Sequence, residues 1–298
     1  MSATKRGRGK ALKTIAILNA AVRILKEIQP CSVRAVCYRL FTQKLIPSME
    51  RKYTNSISRL LVHAREQGIV KWNWIVDDTR APMGWATYET PEEFLDEVRD
   101  RYCRDAWGDQ ENWVEVWSEK ATIKGTLMPV LEKYAVGFTV MHGHASASAI
   151  YRACALTRQR ERRLIVLYVG DWDPSGLHMS EADLPGRIRR YGGDIEVKRI
   201  AISEFDTHPG EGIPHFDPGE KIKDPRYRWF MDRYATKCFE LDAMNPVDLR
   251  HRVEDRITGL LDLDAWDHSI AVGKAELDSM RDYFDRWPGI SMPAHKYS

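Results

Sequence analysis

Apolar residues recur at intervals of three and four along the first part of the chain. Leu12, Ile15, Leu18, Val22 and Leu25 predict a first helix that stops before Gln29-Pro30. Ser32 is placed to cap a second, which carries Val33, Val36, Cys37, Leu40 and Phe41 on its apolar side. After a turn at Ile46-Pro47-Ser48, a third helix is expected from about Asn55 through Ile57, Leu60, Leu61 and Ala64 to Gly68. The period then changes to two over Val70, Trp72, Trp74 and Val76, which predicts a strand, with the Trp72/Trp74 pair as packing. Three helices and a strand are the outline of a winged helix, expected over residues 11–84 behind a basic flexible arm, 1–10. Asp77 to Gly84 reads as an exit loop, and residues 91–108 as an amphipathic helix within a linker, 85–110.

From Asn112 short apolar runs alternate with helical patterns. Strands are expected at 113–117, 136–141, 164–169 and 195–201, and helices at 121–134, 146–158 and 176–190. This alternation predicts an α/β domain over 111–298, a mainly parallel sheet with helices on both faces and functional loops at the carboxyl ends of the strands. Residues 203–232, rich in Pro, Gly, Asp and His, read as a long loop. The tail is expected to return to helix through Pro246–Leu263 and Val272–Phe284.

Composition adds compartment and charge to this outline. The 298 residues, 43% hydrophobic and 30% charged, are enough for two soluble domains. No apolar run approaches the roughly 20 residues of a membrane span. The start, MSATKRGRGK, has no apolar stretch behind it, so no secretory leader is expected and the cytoplasm is the expected compartment. Five scattered cysteines, without a CxxC pair, read as reduced and mostly buried. The net charge of +2 conceals an asymmetry: residues 1–80 hold 16 Lys and Arg against 5 Asp and Glu, a balance of +11, and the rest hold 29 against 38, or −9. A basic front on an acidic body points to nucleic acid at the front, double-stranded DNA given the winged-helix outline, against the plainer reading of a solvated surface. Arg51 and Lys52 before the third helix, and Arg59, His63 and Arg65 along it, suit phosphate contacts, with Tyr53 beside them.

The chemistry is concentrated in LIVLYVGDWDPSG, Leu164 to Gly176, where an apolar strand ends in Asp171 and Asp173. Carboxylates at i and i+2 of extended chain project the same way and can face one hard cation. A second strand end, Ser118-Glu119-Lys120, supplies a third acid, so Glu119, Asp171 and Asp173 form a candidate Mg2+ site, with Mn2+ as an alternative ion. The plainer reading of Asp173-Pro174-Ser175-Gly176 is an ordinary helix cap. Glu240 and Asp242 in ELDAM are weighed for the metal and set aside as solvated helix-face acids, and His142 and His144 as loop residues near the site.

A winged helix followed by a sheet with Glu on its first strand end, Gly on the second and Asp-x-Asp on the third resembles the A subunit of DNA topoisomerase VI. It is similar also to that subunit's relative, the meiotic double-strand-break transesterase. The resemblance covers roughly residues 12–202 and extends to 238–263. It implies a Toprim fold for the second domain, with VEVWSEKATIKG, TVMHGHASAS and VLYVGDWDPSGLHM as its three motifs. Glu119 then matches the acid of the first motif, Gly143 the glycine of the second, and Asp171 and Asp173 the metal pair. Arg34-Ala35-Val36-Cys37-Tyr38 is similar to the family's nucleophile stretch, which makes Tyr38 the attacking tyrosine and Arg34 its supporting arginine, while Cys37 departs from the usual first tyrosine.

The activity so implied is Mg2+-dependent double-strand cleavage through a 5′-phosphotyrosyl link, in the cytoplasm on the nucleoid. A homodimer is implied, because in the family the tyrosine of one protomer works with the metal site of the other. An ATPase B-type partner subunit is left open: no ATP-binding domain is found here, and the chain looks more like the compact stand-alone A-type proteins of the family. The chemistry is reasonable on its own terms: a phenol of pKa about 10 needs a nearby cation to attack at neutral pH, and Glu119 is placed to shuttle a proton to the leaving 3′ oxygen. The competing readings are a Toprim nuclease that uses water without a covalent tyrosine, and a DNA-binding factor that no longer cleaves.

Overall fold

The structure, a computed structural model, describes residues 5–75, 87–141, 146–208, 212–234 and 236–285. Its first three helices are α1 (Lys5–Ile28), α2 (Val33–Thr42) and α3 (Arg51–Glu66). Their stripes meet in one core, in which Leu25, Val36, Cys37 and Leu40 are fully buried and Leu61 nearly so. Ser32 caps α2 as expected, its hydroxyl accepting from the Ala35 N–H at 3.2 Å. Residues 5–10, expected in a flexible arm, are helical, because the Ala-, Leu- and Lys-rich segment behind them propagates the first turns. α3 likewise starts four residues before Asn55, where the Glu50 carbonyl accepts the Tyr53 and Thr54 N–H groups.

The expected strand at 70–76 does not form within the described residues. Trp72–Trp74 is a single 3₁₀ turn, and Ile75 makes only an isolated parallel bridge to Cys31. The reason is Arg65: its guanidinium takes the carbonyls of Trp72 and Ile75, the acceptors that a ladder would need. The remainder of the expected wing and exit loop lies outside the described residues.

Along the rest of the chain follow α4 (Pro91–Arg101), β1 (Trp113–Ser118), α5 (Lys124–Lys133), β2 (Gly137–Val140), α6 (Ser146–Arg160), β3 (Leu164–Val169), α7 (Pro174–His178), α8 (Leu184–Tyr191) and β4 (Ile195–Ala201). After these come β5 (His215–Phe216), α9 (Tyr227–Arg233), β6 (Cys238–Phe239), α10 (Pro246–Thr258) and α11 (Leu263–Asp285). The protein is therefore α/β. β1 to β4 form a parallel sheet in the order β2-β1-β3-β4, and β3, the continuous apolar run, is buried at every position. Right-handed crossovers from β1 out to β2, then back past β1 to β3, put α5 on one face and α6 on the other. The packing of α5 on α10 and of α6 on α8 agrees with this.

Three expectations in this half are corrected. The helix foreseen at 176–190 is two, joined by a wider turn over Met179–Asp183, because Pro185 supplies no N–H to the ladder. The supposed loop 203–232 contains β5, which pairs antiparallel with β6, and α9. The C-terminal helices run 246–258 and 263–285, the break falling at Gly259.

The chain divides into two compact units, residues 1–81 with 112–260 and residues 82–111 with 261–298. Helix α1 is tied into the first by Arg250 of α10, which donates to the carbonyls of Ile28, Gln29 and Pro30 at 3.0 to 3.3 Å, groups that the end of a helix leaves unpaired. The second unit contains the segment expected as a linker. Trp107 packs edge-on against Trp266 at 5.6 Å, Arg104 pairs with Glu276 at 2.7 Å, and the Gln110 side chain bonds both backbone groups of Asp262.

Candidate active site

In a sheet ordered 2-1-3-4 the connections leave β1 and β3 in opposite directions, which opens a crevice at their carboxyl ends. Glu119 follows β1 and Asp171 and Asp173 follow β3, so all three fall at this point. With Lys120, Lys221 and Arg226 they line a cavity of about 460 Å³.

Each carboxylate is held differently. Asp171 accepts the Leu241 N–H at 2.7 Å and lies 2.8 Å from the Lys120 ammonium. Burial raises its pKa, and the lysine works against that. Asp173 does what the plainer reading said: one oxygen caps α7 through the Gly176 N–H at 2.8 Å. Its other oxygen faces Lys221 at 2.9 Å, so capping and display in the cavity coexist. Glu119 is pushed up to about 7, first by burial and then by the charges of Asp171 and Asp173. Gly176 is required where these groups converge, since a Cβ there would strike the Asp171 carbonyl oxygen and approach Glu119. Trp172 points away, its backbone paired both ways with Phe239 at 2.9 Å and its indole against Tyr234.

Beneath the loop runs a cation that sequence reading missed. Arg199 of β4 donates to the carbonyls of Gly170, Asp171 and Ile202 and to the Ser180 hydroxyl, and lies over the Tyr168 ring at 5.2 Å. Its burial lowers its pKa.

Glu240 and Asp242, set aside as solvated, belong to the site; they flank the start of a single 3₁₀ turn after β6 rather than lying on a helix face. Asp242, its side chain 2% exposed, faces Lys120 at 2.9 Å, Arg34 at 3.4 Å and the Ser32 hydroxyl. Glu240 takes two donors from Arg34 and lies 3.9 Å from Lys120. Burial alone would lower Lys120, but Asp242 and Asp171 more than offset this and hold it above the ordinary lysine range. The pattern Glu-x-Asp repeats the spacing of Asp171-x-Asp173, a signal that was present in the sequence.

Through these groups α2 meets the strand ends. Tyr38 is 7% exposed, with Arg34 over its ring at 5.5 Å and Glu240 close enough to act on its hydroxyl. Burial and then Glu240 push the phenol well above its usual range, opposed by Arg34 and Lys120. Tyr38, Arg34, Glu240, Lys120 and Asp171 are thus one connected polar chain.

Among the described residues, no three of His, Cys, Asp and Glu stand together as a metal cage. The donor chemistry nevertheless fits a hard divalent cation. Glu119, Asp171 and Asp173 present carboxylate oxygens to one cavity, the charges of the two aspartates help to raise Glu119, and Lys120 and Lys221 stand against Asp171 and Asp173 as counter-charges. Gly143, His142 and His144 lie outside the described residues.

The five residues expected to contact DNA do not line this cavity. Arg51, Lys52, Arg59 and His63 are exposed on α3. Arg65 is half-buried; it stacks on Trp72 at 5.3 Å and holds the turn after α3. Tyr53 lies beneath the Lys52 ammonium at 4.7 Å.

No family model, no curated protein and no solved structure matches the chain.

Proposed function

We propose that the chain is a Mg2+-dependent DNA-cleaving transesterase of the topoisomerase VI A type, with Tyr38 as nucleophile. The observation that carries this reading is the connection, within one unit, of Tyr38 and Arg34 to the carboxylates at the β1 and β3 ends through Glu240 and Lys120. A core tyrosine has no need of an arginine over its ring and a carboxylate beside it. The three-helix front with its bridge at Ile75 supports the winged-helix part, and the parallel 2-1-3-4 sheet is compatible with a Toprim domain.

In this reading the Tyr38 oxygen attacks a backbone phosphorus, the phosphotyrosyl bond forms as the bond to the 3′ oxygen breaks, and the ester energy is kept for rejoining. Arg34 and Lys120 favour the phenolate as Tyr38 gives its proton to water. Glu119, whose pKa near 7 keeps it partly protonated at neutral pH, donates to the departing 3′ oxygen. Asp171 and Asp173 would hold Mg2+, joined by Glu119 once its proton has gone to the 3′ oxygen, and the ion when bound would neutralise phosphate charge. Exposed Arg51, Lys52, Arg59 and His63 grip the duplex. Such an enzyme would act as a homodimer, with or without an ATPase partner, on the nucleoid in the cytoplasm; no helix among the described residues is long and apolar enough to cross a membrane.

The test is to incubate the pure chain with supercoiled DNA and Mg2+ or Mn2+, stop with denaturant and probe for DNA-linked protein. An adduct is expected with wild type, none with Tyr38→Phe, and none when the metal is chelated. Cutting without an adduct would favour the hydrolytic nuclease, and intact DNA throughout the non-cleaving factor.

A further inference from the structure

Tyr168, on β3, carries a hydroxyl that the proposed reaction leaves unused. The residue is fully buried, and among the described residues its hydroxyl has no hydrogen-bond partner. Such a group costs stability, since a phenylalanine would fill the same space without stranding a polar atom. Its position follows from the register. β1 and β3 run parallel with Trp117 opposite Tyr168 and Ser118 opposite Val169, so one step further Glu119 comes level with Gly170. Residues two apart in extended chain share a face, which puts Glu119 on the face from which Tyr168 rises. The Tyr168 ring reaches forward over Gly170: a Cβ there would come within 2.7 Å of the ring and 3.0 Å of the hydroxyl oxygen. The phenol therefore ends one strand over from Glu119. Burial, and then Glu119, hold it above the usual tyrosine range, against Arg199 over its ring, so it keeps its proton and stays a donor.

We propose that Tyr168 is a positioning residue of the metal site, its hydroxyl donating to the Glu119 carboxylate when that carboxylate turns onto the cation with Asp171 and Asp173. The inference rests on the metal-site reading and adds to it the group that fixes the third ligand. A carboxylate that meets a cation through one oxygen has the other free to accept, and an outer donor of this kind sets the ligand's orientation. Arg199 is already committed to three carbonyls and the Ser180 hydroxyl, and Lys120 to Asp171 and Asp242. Tyr168 is the donor left over. Its hydroxyl is thus kept for the loaded site at the expense of the empty one.

The test is Mn2+ binding to the full chain by calorimetry at pH 8, where Glu119 is a carboxylate, with thermal denaturation in chelator beside it. Tyr168→Phe should weaken Mn2+ binding roughly tenfold, as loss of an outer partner does at a metal site. In chelator the same variant should melt about 2 °C higher, because the stranded hydroxyl is gone. Against a Glu119→Gln reference, adding Tyr168→Phe should change Mn2+ affinity by no more than about twofold, since the two groups act through each other. A hydroxyl with a merely structural role would lower the melting temperature and leave Mn2+ affinity alone. Unchanged Mn2+ affinity in Tyr168→Phe, a lower melting temperature in chelator, or a tenfold loss that persists beside Glu119→Gln overturns the role of Tyr168 and leaves the cation site standing. A wild type that binds no Mn2+ overturns the metal site itself, and the inference with it.

Discussion

Cations of the same type do different things on α3 and at the β1 and β3 ends. Lys52 pairs with Glu50 at 3.0 Å with both side chains 63% exposed, and Lys120 meets Asp242 at 2.9 Å with the side chains 19% and 2% exposed. The distances are nearly equal, yet water screens the first pair and is excluded from the second. Charge counting along the sequence registers only the first kind, as a basic front. The second kind cancels in the count, acid for base, and yet decides which groups meet Tyr38. A near-neutral segment can therefore contain the more consequential electrostatics, and a strongly basic one can be mostly solvated surface.

The comparison breaks first at Lys120. Lys120→Met leaves Asp171 and Asp242 buried beside each other without their shared cation, and loss of one partner from a buried ionic group costs about 3–5 kcal/mol. Urea unfolding is expected to show a loss of that size. Lys120→Met with Asp242→Asn should recover part of it. A single variant as stable as wild type would mean that the buried network is solvated after all.

Glu119 sharpens the same contrast through pH. Its folded pKa is raised to about 7 from the ordinary 4.5, so between these values the folded state holds a proton that the unfolded state has released. The folded state then binds more protons, and stability falls as pH rises from about 4.5 to 7, fully felt above 7 and absent below 4.5. The shift corresponds to roughly 3 kcal/mol. Glu119→Gln, unfolded by urea in chelator, should be more stable than wild type at pH 8 by up to that amount and equal to it near pH 4.5. Equal stabilities at pH 8 would show that neither burial nor the charges of Asp171 and Asp173 raise Glu119.

How much of this was legible depends on whether partners are neighbours in sequence. Asp171 and Asp173 stand out because a six-residue apolar strand leads into them, and Glu119 because another does. The parallel sheet follows from the same runs. Glu240 and Asp242 have the same spacing, but the strand before them is only two residues long, too short to announce a strand end. Arg199 and Lys221 carry no local mark, since the carbonyls and carboxylate that they meet come from another strand end. Trp72 and Trp74 alternate as a strand would, and Arg65 overrides that pattern by taking their neighbourhood's carbonyls.

Arg59 and Arg65 give the smallest effect and the finest division between the two kinds of cation, because both sit on α3. Arg59 is exposed and bonds only the Asn55 carbonyl of its own helix at 3.3 Å, whereas Arg65 ties the end of α3 to the carbonyls of Trp72 and Ile75. Arg59→Glu should leave urea unfolding unchanged, weaken duplex binding across sequences alike and flatten the salt slope by about 0.9, one phosphate contact. Arg65→Ala should cost roughly 1–3 kcal/mol of stability, since charged hydrogen bonds to the Trp72 and Ile75 carbonyls are lost, and change the salt slope little. The reverse pattern, with stability tracking Arg59 and the slope tracking Arg65, would mean that the helix presents its opposite face to DNA and that burial on α3 does not separate structural from binding cations.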